Sequence, residues 1–280
     1  MNKYQIHEKS QYFRLILLRD ELESHYETLS KSPSEEKDFI RILRTVRYTF
    51  LTLTNVRDIA KEVHDRENKK FVLKTRSLKK NCRFVNHFRD KGIAHLDSKL
   101  IEKAVMWHPH IFSGNDQEDH SGHVYDIQRA VIEACINSFI EDENKRNLKE
   151  KTKEKTFDHE IDLMFPPDRE KFFKYLYERM EEAIEWLSEA ESILRTRIDH
   201  HPAEDILEYA AIAGLMDFDL KAESDLRTVE EGMEIIKKKY PTLLKLFKGS
   251  SKGDISTDQR LKMLEAIKDI QDILAKIEQP

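Results

Sequence analysis

Glycine and proline are scarce in this chain: 280 residues hold seven of each, and no glycine precedes Gly92. A fold built on many tight hairpins needs more of both, so an all-β architecture is excluded, and the 36% of charged residues favours long helices with charged outer faces. The expected fold class is all-α. Cysteine occurs twice, as Cys82 and Cys135, too few and too far apart for a disulfide framework or a cysteine zinc motif, so each reads as a small buried hydrophobe. Long apolar runs are missing as well. No stretch approaches the roughly 20 apolar residues that span a bilayer, and the first residues do not read as a signal sequence. A cytoplasmic protein with no membrane contact is expected. Also absent are a glycine-rich phosphate loop, an H-E-x-x-H helix and a G-x-S-x-G elbow, which disfavours P-loop nucleotide hydrolases, zincins and serine hydrolases. What remains, with 39% apolar residues, is enough for a core in one large or two modest domains.

The net charge of −5 hides a strong asymmetry. Residues 1–100 hold 22 Lys and Arg against 14 Asp and Glu, so the rest of the chain carries the acidic excess. The basic excess is concentrated between Arg57 and Lys91, where twelve cations face five acids. Such a surface suits a polyphosphate partner, although charge runs of this kind are often only solvated helix faces.

The apolar periodicity is helical throughout. Residues 5–29 carry a broad stripe including Leu15, Leu18 and Leu22. Ser32, Pro33 and Glu35 read as a capping box opening a long core helix to about His64, with Phe39, Leu43, Val46, Phe50, Leu53, Val56 and Ile59 at three- and four-residue spacing. Arg41, Arg44 and Arg47 form a second stripe on that helix, a solvated face that can extend the basic surface. Weaker periodicity covers 70–88, then a short helix ends near Trp107. Residues 108–123 read as a loop. Its four histidines, His108, His110, His120 and His123, lie near three acids and are metal-ligand types, but H-x-H followed by H-x2-H matches no specific metal motif, and the exposed-loop reading is preferred. A helix over 124–140 closes the first bundle.

Three domains of organisation follow: a helical bundle over 1–147, a charged linker over 148–167, and a helical accessory or assembly domain over 168–280. The last opens with a helix of some thirty residues whose Phe173, Leu176, Met180, Ala183, Leu187, Ala190 and Leu194 alternate intervals of three and four, as in a bundle or coiled-coil seam. Paired histidines before Pro202 read as an exposed helix end. Thr228 with Glu231, and Ser256 with Gln259, supply two further capping boxes.

The densest chemistry lies at Phe88-Arg89-Asp90-Lys91-Gly92-Ile93-Ala94-His95-Leu96-Asp97. In an unbroken helix Arg89 and His95 stand roughly 9 Å and 120° apart, so their heads diverge. A break at Gly92, or two copies facing across a dimer axis, brings such groups together. This R-x5-H stretch resembles the R-x(4–6)-H signature of the HEPN superfamily, in particular its abortive-infection-type members. Asp90 stands where many of them carry Asn, and Asp97 where a subgroup silenced by nucleotidylation carries Tyr.

The resemblance implies a HEPN-like helical bundle, a homodimer, and a metal-independent endoribonuclease of a bacterial defence or toxin type. In that reaction the ribose 2′-oxygen attacks the adjacent phosphate and leaves a 2′,3′-cyclic phosphate, with no cofactor and no metal. His95 would move the proton, Arg89 would stabilise the phosphate, and Asp90 would orient Arg89 or the imidazole. Lys91, Arg83, Lys80, Lys79 and Arg76 would hold flanking phosphates of RNA. A regulatory protein partner is a further expectation. The competing expectation is a catalytically silent binding or scaffold protein of the same fold, in which Arg89 and Asp90 bridge helix ends and Asp97 caps the following helix.

Overall fold

The computed structural model describes residues 3–93, 96–112, 120–150 and 155–198, and among them every regular element is helical. The α-helices are α1 (Lys3–Ser30), α2 (Glu36–Ile59), α3 (Lys69–Asn81), α4 (Arg83–Phe88), α5 (Ser98–Trp107), α6 (His120–Glu150) and α7 (Pro166–Arg195). A π-helical turn, Arg89–Ile93, follows α4, and a 3-10 turn, Pro109–Phe112, follows α5. The all-α expectation holds. His200, His201 and the two capping boxes at Thr228 and Ser256 lie outside the described residues.

α2 is the central strut. Its Val46, Phe50, Val56 and Ile59 are wholly buried, and it packs against α4, α6 and α7. It begins three residues later than the sequence reading placed it, because Asp38 and not Glu35 is the reciprocal cap: its carboxylate accepts from the backbone N–H groups of Ser34 and Glu35 at 2.9 and 3.2 Å. It also ends at Ile59, short of His64, where the chain turns through Ala60 to Glu62. α1 runs antiparallel to α2, since Arg14 meets Glu62 at 2.6 Å while Thr52 donates to Glu21 at 3.1 Å. The same helix runs antiparallel to α7, tied by Arg19 to Glu191, by Tyr26 to Glu181 and by Tyr177 to the Leu29 carbonyl.

The expected helix over 70–88 is two helices. α3 is capped by Asn68, whose side chain accepts from the Phe71 N–H at 3.1 Å, and it breaks at buried Cys82. α3 lies antiparallel along α7: Lys74 pairs with Glu189 at 2.9 Å, Asn81 donates to Glu182 at 3.0 Å, and Trp186 Nε1 donates to Thr75 Oγ1 at 2.9 Å over a stacked Phe71.

One compact unit runs from Glu8 to Arg197, so the described part of the stretch over 148–167 and α7 lie within it. Residues 155–165 are bound to α6 by a row of its polar side chains. Glu143 accepts from Thr156 N–H, Asn137 exchanges two bonds with the Ile161 backbone, and Glu133 accepts from Leu163 N–H. Phe157, Ile161 and Leu163 are thereby buried in the core that α7 completes. Along the seam read on α7, Leu176, Met180, Ala183, Leu187, Ala190 and Leu194 are buried and Phe173 is half-buried, and α2 and α3 of its own unit pack against this helix.

Candidate functional site

α4 delivers the motif. Phe84, Val85 and Phe88 anchor it in the core, Phe88 stacking on Phe50 with ring centroids 4.1 Å apart. Beyond Phe88 the helix widens into the π turn Arg89–Ile93, a local distortion that recurs where backbone geometry serves a site. Gly92 allows it. That glycine is buried against α6 so closely that an added Cβ would lie 2.4 Å from Cys135 Sγ. The helix thus departs from α geometry over a turn that contains the glycine singled out in the sequence, where the backbone passes close to the Cys135 side chain.

Arg47 fixes the turn from the other side. Its guanidinium donates to the Gly92 carbonyl at 3.2 Å and to Gln128 Oε1 at 3.1 Å, so α2, the π turn and α6 share one arginine. The sequence reading had placed Arg47 on a solvated stripe. Past the turn the chain closes on itself: the Asp97 N–H donates to the Lys91 carbonyl at 3.0 Å, and Lys91 Nζ pairs with Asp97 at 2.5 Å. Asp97 also caps α5, accepting from Lys99 N–H at 3.0 Å and Leu100 N–H at 3.3 Å. Leu96 at the join takes the left-handed conformation, φ 41°. The hydrogen bond from Lys91 holds the Asp97 carboxyl below its ordinary range, and the same bond raises the Lys91 ammonium.

Arg89 is one-third exposed. Its Nε donates to Asp90 Oδ1 at 2.7 Å, its Nη2 lies 2.5 Å from the same oxygen, and its Nη1 stands 4.0 Å from Asp58. Asp90 thus faces the Arg89 guanidinium. Asp58 is shared, also meeting Lys61 at 2.6 Å and Arg57 at 3.8 Å, and Arg57 donates to Asn86 Oδ1 at 2.5 Å. His95, together with Ala94, lies outside the described residues.

A second imidazole beside the motif escaped the sequence reading. His87 Nε2 shares a hydrogen bond of 2.9 Å with Ser138, its Nδ1 lies 3.9 Å from Asp142, and burial lowers its pKa below the usual histidine value. Its only signal in the sequence is its place among the apolar residues of α4.

The five expected phosphate-holding cations separate into groups. Lys91 is engaged by Asp97, Arg83 and Lys80 are exposed, and Arg76 and Lys79 line a cleft of about 260 Å³ between α3 and the turn at 63–66. Burial lowers the Lys79 pKa, and the neighbouring charges of Lys61 and Arg57 lower it further.

The histidine loop divides as well. His108 is buried and donates to Glu133 at 2.6 Å; the same carboxylate accepts from Trp107 Nε1 and faces Arg129 Nη1 at 3.2 Å. His110 and His123 are exposed, and the side chain of His120 lies outside the described set. Among the described residues no group of three or more His, Cys, Asp or Glu is arranged to hold a metal ion. Both cysteines are free and buried, and burial pushes each thiol up to about 12.

Fold and site together define an all-helical protein with a cation-rich surface around a broken helix. Comparison with protein-family models, with curated proteins and with solved structures finds no match. Among the described residues no helix is long and apolar enough to cross a membrane.

Proposed function

We propose that the chain is a metal-independent endoribonuclease, HEPN-like in its motif, cutting RNA through Arg89 and His95 in a cleft formed by two copies. The observation that supports it best is the π turn Arg89–Ile93, which distorts the helix over five residues of the R-x5-H stretch, while Arg89 stays partly exposed and shares Asp58 with Arg57 and Lys61. Arg89, permanently charged and forked, meets the phosphate as its charge shifts during in-line attack. His95 exchanges a proton with the 2′-hydroxyl or the leaving oxygen, a task for which imidazole is the side chain suited. Asp90 holds the guanidinium until substrate arrives.

A second reading has its own observation. Arg89 is paired with Asp90 and approached by Asp58, and Lys91 is paired with Asp97, so the charges of the motif satisfy one another as they would in a silent binding or scaffold protein. One experiment separates the two. Wild type and His95→Ala are incubated in EDTA with total RNA and with a tRNA pool, and new ends are mapped. Cleavage by wild type alone, with cyclic-phosphate ends, is expected. Equal cleavage by both removes His95 from the mechanism, and none by a folded wild type favours the scaffold.

A further inference from the structure

Two clefts among the described residues carry opposite charge. The one between α1 and α7, about 640 Å³, is rimmed by Glu23, Glu27, Glu181 and Glu185, with Lys31 already paired to Glu27. The one between α3 and the turn at 63–66, about 260 Å³, is rimmed by His64, Arg66, Arg76 and Lys79. Its single acid, Asp65, faces Arg197 at 3.5 Å, and Arg197 also donates to the His64 carbonyl at 2.9 Å, which pins the turn. Thr75 on its floor has its hydroxyl committed to the Phe71 carbonyl and to Trp186.

Arg76 and Lys79 stand one turn apart on the same helix face, and neither they nor Arg66 has an ion-pair partner among the described residues. Of the other cations in this region Lys74 is neutralised by Glu189, Lys61 by Asp58 and Arg89 by Asp90, whereas Lys69, Lys70 and Arg83 have no ion pair among the described residues but line no recess. An unpaired cluster around a recess, with its one carboxylate already occupied, is a concave electropositive site that focuses an anion.

We propose that this cleft binds a phosphate group of an RNA strand, with Arg76 and Lys79 as its principal donors and Arg66 and His64 closing it from the turn. The assignment rests on the RNA reading above and adds a second contact to it. The cleft adjoins the motif through charge: Lys79 feels Lys61 and Arg57, which flank Asp58, and Asp58 faces Arg89. A strand held at the cleft is thereby led along α3 toward the π turn. The contact is sequence-independent, because it reads phosphate and not base.

The test is binding, not cleavage. Fluorescence anisotropy in EDTA measures full-length wild type, Arg76→Ala/Lys79→Ala and Lys37→Ala/Lys174→Ala, which removes two exposed cations far from the cleft in sequence. The probe is a fully 2′-O-methylated oligonucleotide, which cannot be cut by 2′-oxygen attack, with either a 5′-phosphate or a 5′-hydroxyl. The cleft double variant, with an unchanged melting curve, is expected to bind about tenfold more weakly and to lose about one to two units of salt slope, while the control matches wild type. A loss on both strands assigns an internal phosphodiester; a loss confined to the 5′-phosphorylated strand assigns a terminal phosphate. Cleft and control variants weakened equally, or a cleft variant that binds like wild type, overturn the proposal. A wild type that binds neither strand overturns it together with the RNA reading. A wild type that binds the probe but leaves total RNA and the tRNA pool uncut in the cleavage assay above removes the nuclease and leaves the cleft standing.

Discussion

Gly92 acts by what it lacks. A side chain there meets Cys135 Sγ at 2.4 Å inside a closed interface, and the Cys135 sulfur has no exposed space to move into. Gly92→Ala therefore forces α4 and α6 apart or straightens the π turn, at about 1–3 kcal/mol by the usual cost of overpacking. The accompanying loss of the Arg47 bond to the Gly92 carbonyl adds to it. Removing the obstructing sulfur tests the cause: Gly92→Ala combined with Cys135→Ala should recover part of the lost stability in urea melts, whereas Cys135→Ala alone should not stabilise. Strictly additive effects in that double-mutant cycle would show that the two atoms do not meet. The sequence made Gly92 conspicuous as the first glycine, and it made the break legible. It did not reveal Cys135 as the reason, because residues 92 and 135 meet only through tertiary packing. Arg47 was hidden for a related cause: a cation at regular spacing among apolar residues looks solvated until its partner carbonyl is located.

Helices whose burial follows a simple stripe were readable from spacing alone, and the buried residues of α2 and α7 show it. Where one helix carries polar residues on its inner face, spacing misleads. Residues 141–160 looked like a boundary because they are so highly charged, yet Glu133, Asn137 and Glu143 of α6 receive the backbone of the segment that follows. Glu133 is the most exposed to test. Its fully buried carboxylate collects Trp107, His108, Arg129 and the Leu163 amide. Glu133→Ala leaves the buried Arg129 guanidinium without its fully buried counterion and three donors without an acceptor, a loss of about 3–5 kcal/mol on the scale of broken buried pairs. Glu133→Gln, which keeps a carbonyl acceptor, should cost less. Hydrogen exchange adds the spatial readout: amides over 155–165 should lose protection in Glu133→Ala before those of α2 do. Uniform loss across both would mean that the segment is not held by this residue.

At the scale of the whole chain, position in sequence separates what packing joins. Phe172, Leu176, Met180, Ala183, Trp186, Leu187 and Ala190 share one core with Phe50, Phe71, Phe84 and Phe88, so α7 supplies a wall of the same unit that presents the motif. The compact unit runs from Glu8 to Arg197, and the sequence reading would have cut it at the charged stretch before Pro166. The two divisions make opposite forecasts for a shortened chain. Ended at Arg197, the protein keeps α7 against α1, α2 and α3, including the Trp186 bond to Thr75 and the Arg197 bond to the His64 carbonyl, and should unfold in one cooperative transition. Ended at Phe165, it exposes the apolar faces of α1, α2 and α3 that α7 had covered, including the buried ring of Phe71, a hydrophobic surface large enough to cost cooperativity. The shorter chain should therefore melt broadly or aggregate, and circular dichroism with sedimentation distinguishes these outcomes. Were the chain ended at Phe165 to melt as sharply as the chain ended at Arg197, α7 would be dispensable to the bundle. The cleft beside α3, whose turn depends on Arg197, would then have to keep its shape without it.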